Sequence, residues 1–388
     1  MGSAGTNVEF KKDTKILLIS NDDELSFVTG SLLKMAGLTQ HTVCQDALKA
    51  IPLCSDDFDL VIIDSNVRNL PGWDLIKVIK NAEDIPNRPI IFIGKEDVEV
   101  SADQMNEYGV IDFLKHPFDL KKLMKVLAKT YSNVNEEGNI EHDYTKAKEE
   151  LRNNNAEGAV QQFEKIREQT KNSTRSSLGL AKSLEQNHKE EEAEKVVEQI
   201  DDDQDISVLM QKVKLHLKRR DTAKAKEDID KLMKIADTNA FTFISPLKAC
   251  IEGGHDDLAK IIINKAESLG VKHQDIEIAI AELELKENQV KDAIKRLVRA
   301  QKEYGQSFEI MELKGRCLMK SKRHQEAIDC YISLLGKGKD DAKVCFNIAL
   351  AYHETKQVDK AKEYLEKCLE ISPTFIMAKR MLRNMSAA

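Results

Sequence analysis

KDAIKRLVRA, residues 291–300, sets Ala293, Leu297 and Ala300 four and seven positions apart, on one stripe of a helix. The same pattern stands upstream in EGAVQQFEKI (157–166), EEAEKVVEQI (191–200), AKAKEDIDKL (223–232) and DDLAKIIINKA (256–266), and downstream in QEAIDCYISL (325–334) and DKAKEYLEKC (359–368). The leading alanines are Ala159, Ala193, Ala225, Ala259, Ala293, Ala327 and Ala361, with successive gaps of 34, 32, 34, 34, 34 and 34 residues. Such spacing marks a repeat array. Twelve residues before most of these alanines stands another small residue: Ala147, Ala181, Ala281, Gly315 or Ala349. Antiparallel helices joined by a short turn pack closely only where a small side chain on one meets a large one on the other.

Outward from this ladder the chain changes character. Five of its seven prolines lie before residue 120, and beyond that point only Pro246 and Pro373 interrupt it. In the first part KILLIS, DLVIID and PIIFIG are nearly continuous apolar runs, as for parallel strands covered on both faces. ELSFVTGSLLKMAG, GWDLIKVIK and DLKKLMKVLAKTY alternate with them at helical spacing. This alternation predicts a doubly wound parallel α/β sheet in the first part. The polar, aperiodic stretch 132–144 reads as a linker. About seven helix-pair repeats follow over 145–373, then a capping helix over 374–388 that shields the end of the stack.

The 388 residues suffice for two cores. A net charge of −7 argues against nucleic acid as the main partner, because phosphate binding needs a basic face. No apolar run approaches the length of a membrane span, and the start lacks the apolar core of a secretory signal. Seven cysteines without a CxxC pair read as buried reduced thiols, so a cytoplasmic location is expected.

The period of 34 with its small–large code resembles the tetratricopeptide repeat, an all-α superhelical solenoid, from about residue 142 onward. The last repeat carries it best, through Ala349, Tyr352, Ala361, Leu365 and Pro373. Val213 and Leu247 stand where a small residue is usual, so 206–272 reads as less regular. The resemblance implies a groove for protein partners lined by first-helix side chains. These would be Lys343, Phe346, Leu350 and His353 in the last repeat, and Glu309, Glu312 and Arg316 in the one before.

DLVIIDSNVRNLPGW and GVIDFLKHPFD resemble the receiver domain of response regulators over about 13–131, which implies that the doubly wound parallel α/β sheet has five strands. In that family an acceptor aspartate and an acidic pair hold Mg²⁺, while a lysine and a hydroxyl orient the phosphoryl group. The resemblance makes Asp64 the candidate phosphoacceptor. Asp22, Asp64 and the Asn66 carbonyl become candidate metal ligands. The rest is depleted: the acidic pair falls on Ser20 and Asn21, the hydroxyl position on Gly94, and the lysine position on His116, with Lys115 one residue early. His116–Pro117 is expected to be cis, and Phe113 a fixed aromatic instead of a switch.

The expected function is a non-enzymatic adaptor in bacterial signalling. Its degenerate receiver would dock a partner, or a second copy as a homodimer, through its fourth and fifth helices, while its solenoid binds another protein. The alternative is a response regulator switched at Asp64, with protein binding as output. No cofactor is expected, save Mg²⁺ if the receiver is active. The chain lacks GxGxxG, P-loop, HExxH and GxSxG motifs, and neither nucleic-acid binding nor membrane insertion is expected.

Overall fold

The computed structural model describes residues 13–95, 99–135, 138–202, 204–235, 240–336 and 341–387. The first part alternates β1 (Ile16–Ile19), α1 (Asp23–Met35), β2 (His41–Cys44), α2 (Ala47–Leu53), β3 (Leu60–Asp64), α3 (Gly72–Asn81), β4 (Ile90–Gly94), α4 (Ala102–Glu107), β5 (Phe113–Lys115) and α5 (Leu120–Asn135). All strands are parallel, in the order β2-β1-β3-β4-β5. Every residue of β1, β3 and β4 is buried, which accounts for their unbroken apolar sequences. Leu18, Ile62, Ile93 and Leu114 share one core with Leu25 and Leu33 of α1 and Leu123 and Leu127 of α5. The strand order reverses between β1 and β3, so their carboxyl ends open together on a crevice where sheets of this class bind ligands.

The remainder is helical: α6 (Ile140–Arg152), α7 (Ala156–Gln169), α8 (Thr174–Gln186), α9 (Glu190–Glu198), α10 (Ile206–Lys218), α11 (Thr222–Ile235), α12 (Ala240–Glu252), α13 (Asp256–Ser268), α14 (Gln274–Lys286), α15 (Val290–Tyr304), α16 (Phe308–Lys320), α17 (His324–Ile332), α18 (Asp341–Glu354), α19 (Val358–Ile371) and α20 (Ile376–Ala387). The chain forms two compact units, one up to Ala249 and one from Cys250. All seven ladder alanines lie on the second helix of a pair and are fully buried. At Gly315 an added Cβ would collide with the Tyr331 ring, and at Gly179 with Phe163; Tyr331 and Phe163 each stand four residues after a ladder alanine. The small–large code is therefore steric.

A second ladder runs beside the first. Asn154, His188, Arg220, Gly254, Asn288, Lys322 and Lys356 all have φ between 57° and 75°. They repeat the gaps of 34, 32, 34, 34, 34 and 34. Each turns one helix of a pair into the next in the left-handed conformation.

Two expectations need correction. The stretch 132–144 is not a linker in its described residues: 132–135 close α5, and Asn139 caps α6, whose Tyr144 is buried in the first repeat. It lacks apolar periodicity because the inward residue there is a charged one, Glu141. Over 206–272 the described residues form helices α10 to α13, in which Val213 and Leu247 are buried. Pro246 lies inside α12 without ending it. At the far end α20 packs on the last repeat through the fully buried Ala378, and Phe375, just before it, meets Phe346 at 5.2 Å between ring centroids.

Candidate functional site

Asp64 ends β3 and is 1% exposed. Its Oδ2 accepts from Ser20 Oγ at 2.6 Å, and its Oδ1 from Asn66 N at 3.2 Å and Ser65 Oγ at 3.3 Å. Burial pushes the carboxyl up, while the Ser20, Asn66 and Ser65 donors favour its ionised form. Ser20, at the end of β1, is fully buried, and its hydroxyl also accepts from Asp22 N at 3.1 Å. A neutral hydroxyl thus touches the acceptor oxygen where an active receiver would bring a carboxylate and its metal.

The other candidate ligands are engaged elsewhere. Asp22 caps α1, accepting from Leu25 N at 2.9 Å, and pairs with Lys95 at 2.8 Å. The Lys95 bond, then the Leu25 amide, holds its carboxyl below the usual range. The Asn66 carbonyl accepts Asn21 N–H at 3.0 Å, and the Asn21 side chain accepts from Arg68 at 3.4 Å. Among the described residues no trio of acidic, histidine or cysteine ligands gathers at Asp64. Mg²⁺ needs near-octahedral oxygen donors, usually with carboxylates among them. The Asp22 carboxylate is committed to Lys95 and the Asn66 carbonyl to Asn21.

Gly94 ends β4, and a Cβ there would collide with Ser65 Oγ and stand 2.9 Å from Phe113 Cζ. Ser65 thus fills the space of the missing side chain. Phe113 packs on Phe92 at 5.1 Å, and Phe92 on Trp73 at 5.9 Å, with the rings tilted. His116 donates its backbone N–H to the Gly94 carbonyl at 2.7 Å, its ring meets Phe118 edge-on, and His116–Pro117 is cis. Lys115 is exposed on β5. The strand-end cation is instead Lys95, held between Asp22 and Glu24. Neither Ser65 nor Lys95 was singled out from the sequence; each follows directly on a residue that was.

A second constellation joins α3 to the first repeats. Glu141 of α6 accepts from Lys80 Nζ at 3.0 Å, Asn87 Nδ2 at 3.2 Å and both Arg175 amino groups, one of them at 3.2 Å. The Arg175 guanidinium lies 3.6 Å over the Tyr144 ring and donates to the Glu107 carbonyl at 2.9 Å. Burial would raise the Glu141 carboxyl, but Arg175 and Lys80 together outweigh it and hold it at about 2. Lys148 reaches the carbonyls of Ile79 and Lys80, and Lys182 that of Asn81, at the end of α3. Lys77 pairs with Asp205 at 3.0 Å, and Lys214 with Glu83 at 3.6 Å.

These contacts use the register assigned to a partner groove. Glu141, Arg175, Glu309 and Lys343 each stand eighteen residues before a ladder alanine; Lys148, Lys182, Lys214, Arg316 and Leu350 each stand eleven before one. In the first three repeats that face is taken up by α3 and the segments beside it. In the later repeats Lys343 pairs with Glu312 at 2.9 Å and Arg316 with Glu282 at 3.7 Å, while Glu309 and His353 are exposed. Phe346 and Leu350 do not line a groove: both pack into the last core, Phe346 against Phe375 of the segment leading into α20.

Residues 16–128 match the response regulator receiver domain family, and residues 278–342 and 342–375 match tetratricopeptide repeat families. The chain therefore joins a receiver domain to tetratricopeptide repeats. Chemotaxis protein CheY-3 of Vibrio cholerae is 27% identical over 124 residues, 32% of this chain and 95% of that protein. Transcriptional regulatory protein CpxR of Escherichia coli is 29% identical over 110 residues, 28% of this chain and 46% of that one. The Hsp70-Hsp90 organizing protein of Triticum aestivum is 28% identical over 185 residues, 45% of this chain and 30% of that one. Among solved structures, a tetratricopeptide repeat protein of Parabacteroides merdae aligns at TM-score 0.46 and 12% identity, covering 64% of this chain and 98% of that one. A two-component response regulator of Clostridium difficile aligns at TM-score 0.28 and 23% identity, covering 32% and 99%. This pairing of domains is that of a signalling protein with a capacity for protein interaction, and domains of both kinds are typically non-catalytic. No helix among the described residues is long and apolar enough to cross a membrane.

Proposed function

We propose that the chain is a non-enzymatic adaptor in bacterial two-component signalling. Its receiver serves as a fixed docking piece, and its later repeats hold a protein partner. The observation that carries this reading is the hydroxyl of Ser20 on Asp64 Oδ2 at 2.6 Å. It satisfies the acceptor oxygen with a neutral donor and leaves Mg²⁺ one carboxylate short. The shared register of Glu141 and Arg175 with Glu309 and Lys343 supports the second half: the receiver occupies the partner face of the first repeats, and the exposed face of the later ones is left for a partner.

Incubation of the full chain with Mg²⁺ and acetyl phosphate, followed by intact-mass analysis, tests the reading. A substoichiometric adduct is expected; stoichiometric phosphorylation of Asp64 overturns it in favour of a phosphorylation-switched regulator. Under the adaptor reading Asp64→Asn leaves partner affinity unchanged, whereas a switch requires that it change.

A further inference from the structure

Helices α9, α10 and α11 gather metal-ligating side chains away from both constellations described above. Glu194 and Glu198, four apart on α9, meet His216 of α10 with ligand atoms all within 4.8 Å of one another. His216 is 5% exposed, and its Nδ1 lies 2.7 Å from Oδ2 of Asp228, which is equally buried. The contact with Asp228 fixes the orientation of the imidazole, and the Nε2 edge of the ring faces Glu194 Oε1 at 3.6 Å. Nitrogen and oxygen ligands at tetrahedral zinc, with bonds of about 2.0–2.1 Å, sit about 3.3 Å apart. The observed separation is close to that. A carboxylate behind the imidazole is also the arrangement that orients a metal-bound histidine and fixes its tautomer.

The local cation is the Lys224 ammonium, 3.2 Å from Glu194 Oε1 and 2.8 Å from Glu198 Oε1. Lys224 and Glu198 are each about half exposed, at 47% and 49%, so releasing that pair costs little. Arg219 engages the other oxygen of Glu194, Oε2, and does not contest Oε1.

We infer that Glu194, Glu198 and His216 form a divalent transition-metal site of the zinc class. Asp228 positions the imidazole, and Lys224 competes with the ion. The imidazole selects against Mg²⁺ and Ca²⁺. A bound ion would tie α9 of the second repeat to α10 of the third.

The test is titration of the tag-free full chain with Zn²⁺ in competition with a chromophoric chelator, alongside calorimetry and a Mg²⁺ control. One equivalent of Zn²⁺ is expected to bind, and no Mg²⁺. Glu198→Gln should weaken binding at least about tenfold, and Asp228→Asn about 10- to 100-fold. Lys224→Met should act in the opposite sense, tightening binding about two- to fivefold as the competing ammonium is removed. A purely structural ion-pair cluster has no reason to gain Zn²⁺ affinity from that change. Glu198 and Lys224 are half exposed, so both variants should fold even if a His216 variant does not. Absence of Zn²⁺ binding overturns the site. So does binding of several equivalents that Glu198→Gln and Lys224→Met leave unchanged, or weakening in Lys224→Met.

Discussion

Glu141 on α6 and Lys80 on α3 form an ion pair of 3.0 Å, with side chains 2% and 1% exposed, across the join between the receiver and the first repeat. A pair this deep is a poor source of net stability but costly to break, because the surviving charge stays buried. Here two cations, Lys80 and Arg175, depend on the one carboxylate.

Glu141→Gln keeps the side-chain shape and removes the charge. It is expected to destabilise the receiver–repeat unit by roughly 3–5 kcal/mol. Trp73, the only tryptophan, lies on α3 between Phe92 and Tyr108 and reports the transition by fluorescence in urea. A loss below about 1 kcal/mol would place the pair with ordinary surface contacts and refute the clamp.

The same carboxylate sets an acid limit. Its folded pKa of about 2 lies below the ordinary glutamate value near 4.3, so its contribution is present in full above that value and is lost as pH falls towards 2. Lys80 works in the other sense: burial, helped by Arg175, lowers it to about 8. Between about pH 8 and 10.4 the unfolded chain therefore holds the extra proton, so the burial of Lys80 makes stability rise with pH there. The Trp73 unfolding midpoint should fall between pH 4.5 and 2.5 in the wild type. In Glu141→Gln that limb should be shallower.

At the receiver crevice the expected result is a double-variant rescue. Gly94→Thr restores the missing hydroxyl but drives its Cβ into Ser65 Oγ and the Phe113 ring. A cost of about 1–3 kcal/mol follows from overpacking. Ser65→Ala in the same chain should return part of it, giving a coupling above about 0.5 kcal/mol in the cycle. Additive losses would mean that Ser65 does not fill the place of the absent side chain.

Much of this was legible in the sequence, because it was written in volumes. Continuous apolar strands and alanines every 34 residues report close packing directly, and all seven alanines are buried where the ladder places them. The turn ladder was hidden because Asn, His, Arg, Lys and Gly share a backbone conformation there and no side-chain chemistry. The start of the repeats was misplaced by a few residues because Glu141 and Lys148 face inward, and a charged inward face has no hydrophobic period. Phe346 and Leu350 looked like groove residues by register, but in the last repeat both pack into a core shared with Phe375 and Ala378. The residues expected around Asp64 could be named one by one; Ser65 beside Gly94 and Lys95 on Asp22 could not, since those contacts depend on which way neighbouring loops turn.

The turn ladder itself can be tested at Gly254, where φ is 75° and an added Cβ meets no atom within 4 Å. Any cost of Gly254→Ala therefore comes from the backbone alone. The left-handed conformation sets Cβ against the following carbonyl, at about 1–2 kcal/mol for an L-residue. Alanine's smaller unfolded-state entropy offsets about 0.4–1 kcal/mol of it. A net loss of about 0.5–1 kcal/mol is expected, and less for Gly254→Asn, which tolerates this region better. Lys356 carries the same strain at φ 60°, so Lys356→Gly should be neutral or slightly stabilising although it removes a whole side chain. Chemical denaturation of the three variants checks the order. If Gly254→Ala proves neutral while Lys356→Gly destabilises, side-chain contacts decide these turns and not their backbone conformation.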